Sequence, residues 1–280
     1  MIENINWYPG HMKKTRELIA ENLKMVDIVI EVIDARIPVS SRNPIIDELV
    51  KNKKRLIVLN KSDLSDHKAN EAWADYFKKQ GNLVLAMNCM TGTGVGQLYK
   101  VLSRLQDEKN EGQIRKKSLR MMIVGVPNVG KSSLINRMTG KKSAKTGDRP
   151  GVTKGKQWLG LENGMQLLDT PGILWPKFED PKVGLNLAFC GSIKDEILDT
   201  ASLALELIKV LQKDYPTLLM ERYKLEELNE DALVNMENIA VKRGFILPGK
   251  RIDYERCART LLDEFRSGKI GNITLEQIRS

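Results

Sequence analysis

A mostly parallel α/β sheet with helices on both faces, followed by a small all-α C-terminal domain, is the fold class this 280-residue sequence predicts. Three observations predict it. Short β-branched apolar runs alternate with amphipathic stretches over residues 1–180, as in a parallel sheet wrapped by its crossover helices. After about residue 180 the strand signals fade and helical apolar spacing takes over. Residues 125–132 read Gly-Val-Pro-Asn-Val-Gly-Lys-Ser, a phosphate-binding loop that belongs between a strand and a helix of such a sheet. The predicted division is 1–180 for the α/β domain and 181–280 for the helical one.

Residues 26–33 are predominantly apolar and β-branched, the pattern of a strand buried on both faces. Residues 56–59, 83–87, 121–124 and 166–168 read the same way. Helices are expected over 65–80, 95–111 and 131–139, where apolar residues recur at helical spacing. The charged stretch 106–119 is expected to end a helix and bridge two halves of the sheet. Beyond 180, helices are expected over 201–212, 230–243 and 253–266, punctuated by Pro216 and the Pro248-Gly249 pair.

Composition excludes several classes. At 41% hydrophobic, the chain has material for a core and is not a disordered protein. No apolar run approaches the ~18 residues of a membrane helix, and the N-terminus lacks the pattern of a signal peptide. Cys89, Cys190 and Cys257 have no metal-ligand spacing, and their odd number fits reduced thiols in a cytosol-like compartment. The net charge of +9 is lopsided: residues 1–180 carry 30 Lys/Arg against 20 Asp/Glu, whereas 181–280 carry 15 against 16. Within 109–156 there are 13 basic residues and two acidic ones. Such a surface fits either a solvated basic face or a polyanion such as RNA.

Gly125, Gly130, Lys131 and Ser132 satisfy the pattern G-x-x-x-x-G-K-[ST]. Its glycines let successive backbone N–H groups wrap a phosphate, and the following helix adds its N-terminal positive end. Lys131 is expected to reach the β- and γ-phosphates and Ser132 to ligate Mg2+. Asn128, Val129 and Ser133 complete the nucleotide-binding stretch. Asp169-Thr170-Pro171-Gly172 lies 38 residues beyond Lys131. There Asp169 would hold Mg2+ through water and Gly172 would offer a backbone N–H to the γ-phosphate. Between them, Thr153 in the polar loop 147–154 is the candidate threonine closing over Mg2+ and γ-phosphate.

Asn60-Lys61-Ser62-Asp63 follows the strand ending at Leu59. Asp63 can accept from both N1–H and the exocyclic amine of guanine. Adenine offers no such donor pair, so the two motifs together select GTP over ATP. Lys61 can lie along the base. Asn88-Cys89-Met90, after the next strand, would close on the base through main chain.

The guanine motif thus precedes the phosphate loop by 65 positions, the reverse of the usual order. In this order the chain resembles the circularly permuted GTPases of the YlqF/RbgA family. The resemblance spans the chain, from Trp7-Tyr8-Pro9-Gly10-His11-Met12 through Asp34-Ala35-Arg36-Ile37-Pro38 to the helical tail. It implies a circularly permuted P-loop GTPase domain with an all-α tail. It also implies a bacterial cytoplasmic factor in late maturation of the large (50S) ribosomal subunit, with ribosomal RNA and proteins as partners. GTP and Mg2+ would be the substrate and cofactor, no membrane would be involved, and the chain would be monomeric. A mitochondrial-type ribosome assembly GTPase stays open as an alternative.

Many GTPases orient the attacking water with a glutamine after Asp-x-x-Gly. Here Ile173 occupies that position. His11 is the candidate for positioning the water, either in that role, which the family match supports, or as an ordinary polar residue opening a helix. Asn128 fits either a K+ ligand, as in some related GTPases, or a side chain stabilising its loop. His67 reads as an exposed bystander. Trp7, Tyr8, Trp158 and Trp175 read more readily as packing residues than as RNA-stacking platforms. Two competing readings are a GTP-gated binding module with negligible turnover and a membrane signalling GTPase. Lys131, Ser132, Thr153 and Asp169 argue against the first, and the absence of lipidation motifs argues against the second.

Overall fold

The structure, a computed structural model, describes residues 17, 19–51, 53–140, 158–168, 180–193, 195 and 198–278. Its sheet has six strands: β1 (Ile28–Asp34), β2 (Lys54–Asn60), β3 (Leu83–Met87), β4 (Arg120–Val124), β5 (Trp158–Gly160) and β6 (Gln166–Leu168). Their spatial order is β3-β2-β1-β4-β6-β5. All pairings are parallel except that of β5 with β6. Every strand expected from the apolar runs is present. The antiparallel edge strand β5 is not among those expected: Trp158-Leu159-Gly160 ends in glycine and is defined by its pairing with β6.

β1 lies between β2 and β4 with all seven residues buried. Its side chains alternate between two cores, as the period of two demands. Ile28, Ile30 and Val32 share one core with Leu98, Leu102 and Leu105 of α3 (Val95–Asn110) and with Leu134, Ile135 and Met138 of α4 (Lys131–Thr139). On the other face, Ile33, Ile57 and Leu59 pack on Ala69, Trp73 and Phe77 of α2 (His67–Lys79). Val29, Met122 and Val124 meet Ile19, Leu23 and Ile46, the last from α1 (Pro44–Leu49). After α3 the chain passes from edge strand β3 to β4 beyond β1, so residues 111–119 do bridge the two halves of the sheet.

Among the described residues, the elements that follow the sheet are helices and one small hairpin. α5 (Pro181–Phe189), α6 (Thr200–Asp214), α7 (Pro216–Tyr223), α8 (Ala232–Arg243) and α9 (Tyr254–Arg266) follow in order. Asp180, Asp199, Asp231 and Asp253 each cap a helix start through the side chain, satisfying N–H groups that have no intrahelical partner. Pro216 punctuates the helices as expected, separating α6 from α7, which it opens and where its missing N–H costs nothing. Pro248-Gly249 turns the hairpin of β7 (Ile246–Leu247) and β8 (Arg251–Ile252). α6 is the hub, packed against α9 and α8.

Two features join this helical part to the sheet. Leu187, Phe189, Leu207 and Leu261 belong to the same apolar cluster as Ile30 and Leu98. The tail also returns: Ile273 N–H donates to Leu64 O (3.0 Å) and Leu275 N–H to Arg36 O (2.8 Å). Trp73 Nε1 donates to Glu276 O (2.9 Å), and the Glu276 carboxylate accepts from the Val39 and Ser40 N–H groups (2.6 and 3.0 Å). No helix among the described residues is long and apolar enough to cross a membrane.

Candidate functional site

The phosphate loop emerges from the C-terminal end of β4, and the guanine motif from that of β2. β1 lies between them, and the chain turns to opposite sides of the sheet on either side of it. This is the switch point at which open α/β sheets bind ligands. Permutation of the chain leaves that geometry intact, because strand order, not sequence order, sets what is adjacent.

Glycine is obligatory at two loop positions. Gly125 has φ +149, and a Cβ there would stand 2.3 Å from Val32 O of β1. Gly130 has φ +104, and its Cβ would stand 2.1 Å from Asn60 Nδ2. The close approach at Gly130 is functional in form: Asn60 Nδ2 donates to Val129 O (2.5 Å), while Asn60 Oδ1 accepts from Cys89 N–H (2.9 Å). One buried side chain therefore ties together the guanine motif, the phosphate loop and the loop after β3. Asn88 Oδ1 accepts from the Met90 and Thr91 N–H groups (2.9 and 3.0 Å), folding that loop on itself. Ser133 Oγ donates to Met90 Sδ (3.4 Å), and the Arg137 guanidinium donates to Met90 O.

Lys131 is 8% exposed, with Nζ donating to Val126 O (2.6 Å) inside its own loop. Gly130 caps α4 in a left-handed conformation without a side-chain bond, so its start has no carboxylate cap such as those of α5 or α6. That is the geometry of an anion site. Ser132, half-buried in this first turn, supplies the hard oxygen donor suited to Mg2+.

Asp63 is exposed beyond β2. Lys61 adopts φ +60, uncommon for a residue with a Cβ. Its Nζ is held by Asp34 Oδ2 (2.8 Å) at the end of β1. Asp34 also accepts from Arg36 Nε (3.0 Å), Nη2 (2.8 Å) and backbone N–H (3.1 Å). Burial alone would push the Asp34 carboxyl up, but the Arg36 guanidinium and Lys61 ammonium outweigh it and hold it well below the usual carboxylate range. Arg36 Nη1 in turn donates to Arg266 O (3.2 Å) at the end of α9.

Asn128, also in the left-handed region (φ +60), donates through Nδ2 to Gly191 O (2.5 Å) just beyond α5. Of the two expectations for this side chain, loop stabilisation has a visible partner here.

The structure thus gathers Asn60, Lys61, Asp63, Asn88, Cys89, Asn128, Val129, Gly130, Lys131, Ser132 and Ser133 at one end of the sheet. His11, Thr153, Asp169, Gly172 and Ile173 lie outside the described residues, as do Trp7, Tyr8 and Trp175. Trp158 is half-buried under the Arg120 guanidinium (5.4 Å), a packing role. His67 is exposed, as expected. Sequence reasoning did not assign Asp34, Arg36 or Arg266 to the site. Two charged residues at the C-terminal end of a buried strand were a usable signal for the first two. Arg266, 205 positions beyond Lys61, offered none.

Residues 120–239 match the 50S ribosome-binding GTPase family model, and residues 10–179 match that of the RsgA GTPase family. Ribosome biogenesis GTPase A of Priestia megaterium is 47% identical, covering 97% of this chain and 96% of that protein. Its counterpart from Bacillus cereus is 46% identical over 97% and 93%. Mitochondrial ribosome-associated GTPase 1 of Mus musculus is more distant, at 35% over 97% and 90%. The crystal structure of GNP-bound YlqF from T. maritima superposes with a TM-score of 0.71 at 30% identity, covering 94% of this chain and 98% of that one.

Proposed function

Given that this chain belongs to the ribosome biogenesis GTPase A (YlqF) family of circularly permuted GTPases, we propose that it acts late in maturation of the large ribosomal subunit. It is a GTPase and a ribosome assembly factor. The observation that carries the site assignment is the Asn60 clasp, which seats a guanine-reading motif against a phosphate loop.

In this reading Asp63 accepts the two guanine donors, and Lys61, aligned by Asp34, lies along the base. The N–H groups of residues 128–133 surround the phosphates, and Lys131 exchanges Val126 O for β- and γ-phosphate oxygens. Ser132 and Thr153 would hold Mg2+, with Asp169 through water, and the ion would supply positive charge to offset charge developing on the phosphates. Gly172 donates to the γ-phosphate, and His11 positions the water that Ile173 cannot. With no glutamine after Asp-x-x-Gly, turnover is slow alone and rises on the ribosomal particle.

The domains are 1–180 for nucleotide and 181–280 for the particle, in a monomeric, cytoplasmic bacterial protein. The basic tract 109–156 supports ribosomal RNA as a partner. K+ near Asn128 would add activation, checked by comparing hydrolysis in K+ and Na+ salts. The function is tested by sucrose-gradient cosedimentation with large subunits in GTP analogue, GDP and no nucleotide, alongside hydrolysis with and without subunits. Nucleotide-dependent cosedimentation and stimulated hydrolysis are expected. Nucleotide-independent binding without stimulation refutes the proposal.

A further inference from the structure

The phosphate loop is hydrogen-bonded to the helical part, and the guanine motif is linked to it through Asp34 and Arg36, with Arg266 common to both routes. α5 is followed by a left-handed Gly191 (φ +73), and backbone N–H groups of the turn already take the Asn186, Leu187 and Ala188 carbonyls. Arg266, arriving from the end of α9, adds side-chain donors to this turn: Nε donates to Phe189 O and Nη2 to Ala188 O, both at 2.9 Å. Asp195 fixes the guanidinium from the other side (Nη1 and Nη2 to the carboxylate, 2.6 and 2.7 Å). A cation at a helix C-terminus is also favoured by the helix dipole. With the turn so held, Gly191 O takes the Asn128 amide of the phosphate loop at 2.5 Å. The backbone carbonyl of Arg266 takes Arg36 Nη1, and through Asp34 this contact reaches Lys61 of the guanine motif.

We propose that Arg266 is a positioning residue for nucleotide binding. Acting through the Gly191 carbonyl, it holds Asn128 and so keeps the phosphate loop in its receptive shape. GTP affinity then depends on how the helical part is seated, by a route separate from the segment 169–180 that joins the two parts in sequence. The inference rests on reading residues 125–132 as the phosphate site, and wild-type binding tests that premise by itself.

The experiment is titration of mant-GDP, with steady-state GTP hydrolysis, on the full chain. Arg266→Ala is expected to weaken mant-GDP roughly tenfold, the equivalent of one lost hydrogen bond of about 1.4 kcal/mol. It should raise KM for GTP while leaving kcat within about twofold, the mark of lost uniform binding. If Arg266 works through Asn128, Arg266→Ala in an Asn128→Ala background should add less than half its effect in the wild type. Arg222→Ala removes a different ion pair to α9, that with Glu264, and should leave mant-GDP affinity within about twofold. Should Arg266→Ala not fold, Asp195→Asn removes only the orienting partner and is expected to weaken binding about threefold. Full additivity with Asn128→Ala, an equal loss in Arg222→Ala, or unchanged affinity in Arg266→Ala or Asp195→Asn overturns the inference. Failure of the wild type to bind mant-GDP sinks the phosphate site instead.

Discussion

Removing the Asp34 carboxylate tests how the guanine motif is anchored. Asp34 and Arg36 are each 1% exposed. The carboxylate accepts three bonds from Arg36 and one from Lys61. In Asp34→Ala, the Arg36 guanidinium stays buried with Arg266 O at 3.2 Å and the Phe265 ring at 5.4 Å as its company. An uncompensated buried charge costs about 3–5 kcal/mol, a large share of a total stability of roughly 5–15 kcal/mol. The midpoint of thermal unfolding should fall by about 10 °C. Asp34→Asn keeps the shape and one acceptor and should cost about 1–3 kcal/mol. The double variant Asp34→Leu/Arg36→Met removes both charges and should recover much of the loss.

Acid titration gives an independent arm. The Asp34 carboxyl is depressed in the folded chain, so the unfolded chain takes up its proton first as pH falls. Its contribution is therefore whole above the unfolded value of 3.8 and is lost as pH drops below it. Asp34→Asn should flatten the stability profile in that acid range. Equilibrium urea unfolding at several pH values measures both arms. A cost below about 1 kcal/mol in Asp34→Ala, or an unchanged acid slope in Asp34→Asn, would refute the reasoning.

Gly130→Ala places a Cβ against Asn60 Nδ2 at a left-handed position; mant-GDP binding should weaken at least about tenfold, and near-wild-type affinity would count against the clasp. Burial pushes the Cys89, Cys190 and Cys257 thiols up to about 12, so at pH 8 all three remain protonated and should resist a thiol reagent until denaturant is added. Rapid labelling of the native chain would contradict this. His11→Ala should lower particle-stimulated kcat about 100-fold with GTP affinity nearly intact, and unchanged single-turnover hydrolysis would remove His11 from the mechanism.

The two nucleotide motifs and most of the sheet were legible in the sequence because each is a local matter. A P-loop works through its own backbone within eight residues, and a buried parallel strand such as β1 announces itself as an apolar β-branched run. The edge strand β5 was not legible, because it exists through its antiparallel pairing with β6, and Trp158-Leu159-Gly160 has no strand pattern of its own. Pro216 marked the break after α6, but the short helix α7 that it opens was not expected, because proline both ends helices and begins them and only the chain's path decides which.

By itself, then, the sequence supplied the motifs: a phosphate-loop pattern at 125–132, a guanine-motif pattern at 60–63, and their permuted order. Tertiary structure alone decided how these are joined. Asn60 reaching Val129, Asp34 holding Lys61, Arg266 reaching Ala188, and Asn128 reaching Gly191 are contacts between residues 27 to 78 positions apart. Their partners are set by strand order and helix packing, which no local pattern encodes. The physical reason is that a hydrogen bond needs two groups within about 3 Å, and only the fold brings distant ones there.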